Sequence, residues 1–122
     1  MNLLNFVKDT IENGGASFNL LTGEYNPNDG YMVATNGNEI VIPIDQFHQT
    51  SVANYISEKA VMLMSGIANS NFFLGSWVDG EKVYLDISEK VDNRQQAEAI
   101  GNDRNQIAIW DNANSLEIRL KF

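Results

Sequence analysis

Residues 72–111, FFLGSWVDGEKVYLDISEKVDNRQQAEAIGNDRNQIAIWD, decide the fold. Two β-rich runs flank Asp79-Gly80, and Asp-Gly is a strong hairpin signal because a type I′ turn needs positive φ at both central positions. A turn centred there pairs Val78 with Glu81, Trp77 with Lys82, Ser76 with Val83, Gly75 with Tyr84 and Leu74 with Leu85. Side chains alternate across a sheet. Phe72, Leu74, Val78, Val83, Leu85 and Ile87 therefore form a core face. Phe73, Gly75, Trp77, Lys82, Tyr84 and Asp86 form the opposite one. A one-residue slip would mix the two sets, so the pattern specifies the register strongly.

The hairpin leads into a helix. Asp92 is the expected N-cap, with Gln95 three residues on as a variant capping box. Ala97, Ala99 and Ile100 give a modest apolar stripe, and Gly101-Asn102 reads as the stop. Residues 106–111 alternate again, with Ile107 and Ile109 on one side and Ala108 and Trp110 on the other. After a turn cluster at 112–115, a last strand points Leu116, Ile118, Leu120 and Phe122 inward.

Upstream, Leu3, Leu4, Val7 and Ile11 recur at helical spacing and Gly14-Gly15 stops them. A short strand at 17–21 and a Gly/Pro/Asn/Asp-rich loop at 22–30 follow. Asn36-Gly37 reads as a second hairpin tip, pairing Tyr31 with Ile42 and Val33 with Ile40. Pro43 marks an edge or a strand end. Val52, Tyr55, Ile56, Ala60, Leu63 and Met64 share one side of a helix capped by Thr50 or Ser51 and ended by Gly66, before the lead-in Asn69-Ser70-Asn71. The reading predicts helices at 3–13, 52–65 and 93–103 in one α+β domain, 1–122. Its sheet is mostly antiparallel and built from hairpins.

The 122 residues suit one core. With no cysteine, disulfides, thiolate metal sites and cysteine nucleophiles are excluded. No apolar run reaches the ~18 residues of a membrane span. Residues 1–10 lack the basic segment of a secretory signal, so a cytoplasmic protein is expected. Eight basic against sixteen acidic residues give a formal charge of −8. Without a Lys/Arg cluster, direct nucleic-acid binding is not expected. The acidity serves solubility, or it is aimed at a basic protein surface.

No catalytic set stands out. There is no P-loop and no GxGxxG after a strand. The one histidine, His48, has no GxSxG serine to serve. Asp79, Asp86, Glu89 and Asp92 are close in sequence, as paired carboxylates in a glycosidase must be in space. The turn already explains Asp79 and the cap explains Asp92. Asp45-x-x-His48 offers an oxygen and an imidazole suited to zinc, but two ligands do not make a site. No cofactor is expected. Phe73, Trp77, Tyr84 and Trp110 fall on one side of the sheet. Either a helix covers them in a three-layer core, or they are an interaction surface.

The pattern Gly75-Ser76-Trp77-Val78-Asp79, Lys82-Val83-Tyr84-Leu85-Asp86-Ile87-Ser88, Asp92-Asn93-Arg94, Ala97, Gly101 and Arg104-Asn105-Gln106-Ile107-Ala108-Ile109-Trp110-Asp111 resembles a family of small uncharacterised proteins of bacteriophages and integrative elements. Gly30-Tyr31 is an earlier, weaker part of it. Arg94 and Arg104 have no structural role in this reading. They are expected to pair with Asp86 or Asp111, or to serve the family's partner. Such genomes carry many defence inhibitors. The resemblance therefore implies a non-enzymatic inhibitor, of anti-CRISPR or anti-restriction type, that binds a bacterial nuclease complex. It would act through Trp77, Asp79, Glu81, Tyr84, Asp86 and Glu89, as a monomer or small homo-oligomer. A phage structural or assembly adaptor and a small metal-dependent enzyme using Asp45 and His48 are the alternatives.

Overall fold

The computed structural model describes residues 2–64 and 71–121. These form an α+β domain in which three helices lie against one face of a seven-stranded antiparallel sheet. The chain runs α1 (Leu3–Asn13), β1 (Gly15–Phe18), β2 (Tyr31–Ala34), β3 (Ile40–Pro43), α2 (Gln49–Leu63), β4 (Phe72–Asp79), β5 (Lys82–Val91), α3 (Arg94–Asp103), β6 (Ala108–Asp111) and β7 (Leu116–Arg119). The expected stop at Gly66, the lead-in Asn69-Ser70 and the inward Phe122 lie outside the described residues.

The β4–β5 hairpin is the spine of the sheet. Its register differs from the expected one: Trp77 pairs with Tyr84, Gly75 with Asp86 and Asp79 with Lys82. The two-residue turn is thus Gly80-Glu81, not Asp79-Gly80. Gly80 takes φ +62° while Glu81 stays out of the positive region. That is the φ pattern of a type II′ turn, which asks for glycine first. Partners move by two residues, so the two faces keep their expected members.

β5 is central. β4 lies along one edge, and β2 and β3 lie end to end along the other. The Asn36-Gly37 hairpin is therefore absent. β2 pairs with Ser88–Val91 and β3 with Lys82–Leu85, both antiparallel to β5, so the chain does not reverse between them. Residues 35–39 loop out opposite Asp86 and Ile87, and Thr35 holds the break closed by donating from its N–H and its Oγ1 to the Ile87 carbonyl (2.9 and 2.8 Å). A ten-residue strand offers more edge than one four-residue strand can fill. The sheet runs β1-β4-β5-β2-β6-β7, with β3 paired to β5 beyond the end of β2.

The helix face holds the core. Phe6 of α1 and Val52, Tyr55 and Leu63 of α2 pack on Leu74, Val83, Leu85 and Ile87. Ala97 of α3 packs on Val33, Val91 and Ile109. One polar link crosses this core. Thr10 Oγ1 donates to the Phe6 carbonyl and lies 2.6 Å from Ser76 Oγ, which also accepts from the Ala16 N–H. Buried hydroxyls need partners, and this set fastens α1 and β1 to β4.

The caps correct three expectations. α2 begins at His48, not Thr50 or Ser51: Ser51 Oγ accepts from the His48 N–H as the third helical residue. α3 begins at Asn93, whose side chain accepts from the Gln96 N–H, not at Asp92. It runs through Gly101 and stops at Asn105, with φ +58°. There the Gln106 N–H reaches the Gly101 carbonyl and the Asn105 N–H reaches Asn102, a Schellman closure. Gly101 serves packing instead: a Cβ there would lie 2.6 Å from Leu120 and 3.0 Å from Ile109.

Candidate interaction groove on the open sheet face

The second face of the sheet carries no helix among the described residues. Strand pairing places Ser17 of β1, Gly75 and Trp77 of β4, Tyr84, Asp86 and Ser88 of β5, Met32 and Ala34 of β2, and Ala108 and Trp110 of β6 on it together. Small side chains along the middle make a trough. The loop residues Asn26, Pro27 and Asn28 wall one side, and the open groove has a volume of about 690 Å³.

Two tryptophans rim it. Trp77 is 40% exposed and Trp110 45%. Trp77 stacks flat on its cross-strand partner Tyr84, with ring centroids 4.0 Å apart and planes 7° from parallel. Aromatic pairs favour such stacking when the rings are offset. The stack accounts for the partial exposure of Trp77: one ring face is covered by the protein. The aromatic face is thus open at Trp77 and Trp110. Phe73, placed on it by alternation, is fully buried.

Asp86 lies on the floor, directly across from Gly75. A Cβ on Gly75 would come within 2.3 Å of Asp86 Oδ1. The glycine makes room for a carboxylate. Burial first, and then the nearby Glu39 carboxylate, push the Asp86 carboxyl up from 3.8 to about 6. Among the described residues no cation pairs with it. The same surroundings, burial first and then Asp86, raise the Tyr55 hydroxyl well above its usual range. That hydroxyl donates to the Asn38 carbonyl at 2.5 Å.

The other predicted partner-binding residues do not gather here. Asp79 and Glu81 are exposed at the hairpin tip. Glu89 points to the helix face, where Arg104 Nη2 donates to it at 2.6 Å while Nη1 reaches the Val33 and Ala34 carbonyls. Asp86 and Glu89 are both partly buried, on opposite faces. The expected pairing of Arg94 and Arg104 with Asp86 or Asp111 gives way to Arg104–Glu89 and an Arg94–Glu98 pair one helical turn apart (3.3 Å). Asp111 instead holds the turn after β6, accepting from Asn114 and the Ala113 N–H, and these bonds lower its pKa.

Asp45 and His48 are both exposed, His48 at the helix cap. Among the described residues no three potential ligands gather anywhere. Lys90 is a tie: its side chain is 8% exposed and its ammonium meets Asp29 at 2.9 Å and Glu24 at 3.3 Å, fastening the 22–30 loop to β5. Burial alone would lower its pKa, but these two carboxylates outweigh it and raise the value.

Sequence reasoning named Trp77, Tyr84 and Asp86. It put Trp110 on the same face without naming it as partner-binding, and it missed Ser88, Ala34 and Glu117. Alternation along β4 and β5 locates the first three and also reaches Ser88. Trp110, Ala34 and Glu117 join them only through the β5-β2-β6-β7 order, which no local signal encodes. No helix among the described residues is long and apolar enough to cross a membrane. Compared with protein-family models, curated proteins and solved structures, the chain matches none.

Proposed function

We propose that this protein is a non-enzymatic binding protein that inhibits a bacterial defence nuclease, of the CRISPR or restriction type, by seating the open face of its sheet on a basic surface of that complex in the cytoplasm. The observation that carries the reading is the groove itself: a sheet face that no helix covers among the described residues, with two exposed tryptophans, on a chain of net charge −8. Exposed Trp and Tyr are enriched where partners bind. A protein of this charge is steered toward basic surfaces and away from nucleic acid. The resemblance to proteins of phages and integrative elements supports the choice of a defence nuclease as the partner.

Charge and aromatics have separable kinetic signatures. Rim charges mainly set the association rate, while a buried aromatic anchor mainly sets dissociation. The test is binding kinetics against a panel of purified nuclease complexes at low and high salt. Glu81→Lys is expected to slow association and weaken its salt dependence. Trp77→Ala is expected to speed dissociation. If none of the complexes binds, or if binding ignores both salt and charge reversal, the inhibitor reading fails and a phage assembly adaptor takes its place.

A further inference from the structure

We propose that the floor of the groove is a receptor for one arginine side chain of the protein partner, whose guanidinium would meet the Asp86 carboxylate beside the exposed indole of Trp77. The proposal rests on the binding role of the open face and adds what that face selects.

Three observations carry it. The groove is lined by two charged residues among those described, Asp86 and Glu117, and both are acidic. The cations on the same face are already engaged or displaced: Lys90 with Glu24 and Asp29, Arg119 with Glu117 at 3.4 Å, and Lys82 at the hairpin tip beside Asp79. The groove therefore offers an entering cation a carboxylate without a resident counter-ion among the described residues.

The second observation is the shape of the floor. Gly75, Ala34, Ser88 and Ala108 keep it low on both sides of Asp86, so a long side chain can reach the acid from above. Gly75 lies directly under the carboxylate, and any larger residue there would displace it. Third, Trp77 stacks on Tyr84 through one indole face and stands, 40% exposed, at the groove wall. A planar guanidinium can stack on an aromatic face and bond a carboxylate through two N–H groups at once, which an ammonium cannot do. Guanidinium thus fits this wall and floor better than ammonium.

The acid also opposes folding. Its raised pKa means that the ionised form is less comfortable in the folded protein than in the unfolded chain. A group retained against stability, in a cleft, is what a binding site displays.

The test is an NMR titration of the whole isotope-labelled protein with acetyl-Gly-Arg-Gly-amide. The same peptide carrying citrulline, which is neutral and of the same shape, and one carrying lysine are run beside it. Shifts are expected to cluster at Gly75, Trp77, Asp86 and Ser88, with arginine ahead of lysine and citrulline silent. Asp86→Asn should weaken the arginine peptide about tenfold or more, the scale of a lost charge-assisted hydrogen bond. Gly75→Ala keeps the charge but moves the carboxylate and should do the same, while Glu81→Gln at the tip should change little. Shifts spread over the acidic exterior, or equal binding by Asp86→Asn, overturn the proposal. With an intact nuclease partner in hand, the two readings separate. Tight binding that survives Asp86→Asn but not loss of Trp77 and Trp110 removes the arginine receptor and leaves the binding face standing. Tight binding that survives loss of both tryptophans removes the face itself.

Discussion

Asp86 shows how one residue can carry a conflict between folding and function. Its carboxyl titrates near 6 in the folded protein against 3.8 ordinarily. An acid with a raised folded-state pKa binds its proton more tightly in the folded state, so it favours folding at low pH. That contribution is lost as pH rises from about 4 through 6, and above 6 the ionised group is a constant cost. Two pKa units correspond to roughly 2–3 kcal/mol. Asp86→Asn is therefore expected to raise the melting temperature at pH 7.5, with the gain shrinking toward zero near pH 4. Glu39, Tyr55 and Glu117 are present in both proteins, so paired melts across this range isolate Asp86. A variant less stable than the parent at pH 7.5 would contradict the placement of the carboxylate. On the other face, Leu85 is fully buried in the core that α1 and α2 cover. Leu85→Ala should cost about 2–5 kcal/mol in denaturant melts, because deletion leaves a cavity that the packed helices fill poorly.

At the scale of elements, local signals were readable and pairings were not. Helices at 3–13, 52–65 and 93–103 follow from apolar spacing, and α1, α2 and α3 lie there. The face assignments of β4 and β5 follow from alternation and survive a two-residue change of partner. Asn36-Gly37 misled because a turn signal says where the chain bends, not what it then pairs with. Here the strong edge of β5 captured both β2 and β3. Gly101 misled in the same way. It looks like a helix stop, but it lies inside α3 because Leu120 and Ile109 press against the helix at that point. The two readings differ in sign. At a helix interior with free space, Gly→Ala gains about 1 kcal/mol. Against two side chains at 3.0 Å or less, overpacking should cost about 1–3 kcal/mol instead. Gly101→Ala is thus expected to lower the denaturant midpoint, and a rise would mean that α3 sits further from β6 and β7 than described.

Among the described residues the molecule is two-layered and one-sided. Helices α1, α2 and α3 bury one face of the sheet, and the other carries a trough of small residues with tryptophans on its rim. The sequence named these aromatics without showing whether a helix covers them, since that depends on which face each helix chooses. The function proposed depends on that asymmetry. The chain's two tryptophans, Trp77 and Trp110, both lie on the open face, so they report on it without interference from the core. The most direct measurement is fluorine NMR of the protein labelled with 5-fluorotryptophan, alone and in a saturated complex with the captured nuclease. Free, both resonances should show a solvent isotope shift. Bound, both should move and lose it. Two resonances unchanged in a saturated complex would mean that the partner sits elsewhere and that the open face is not the binding site.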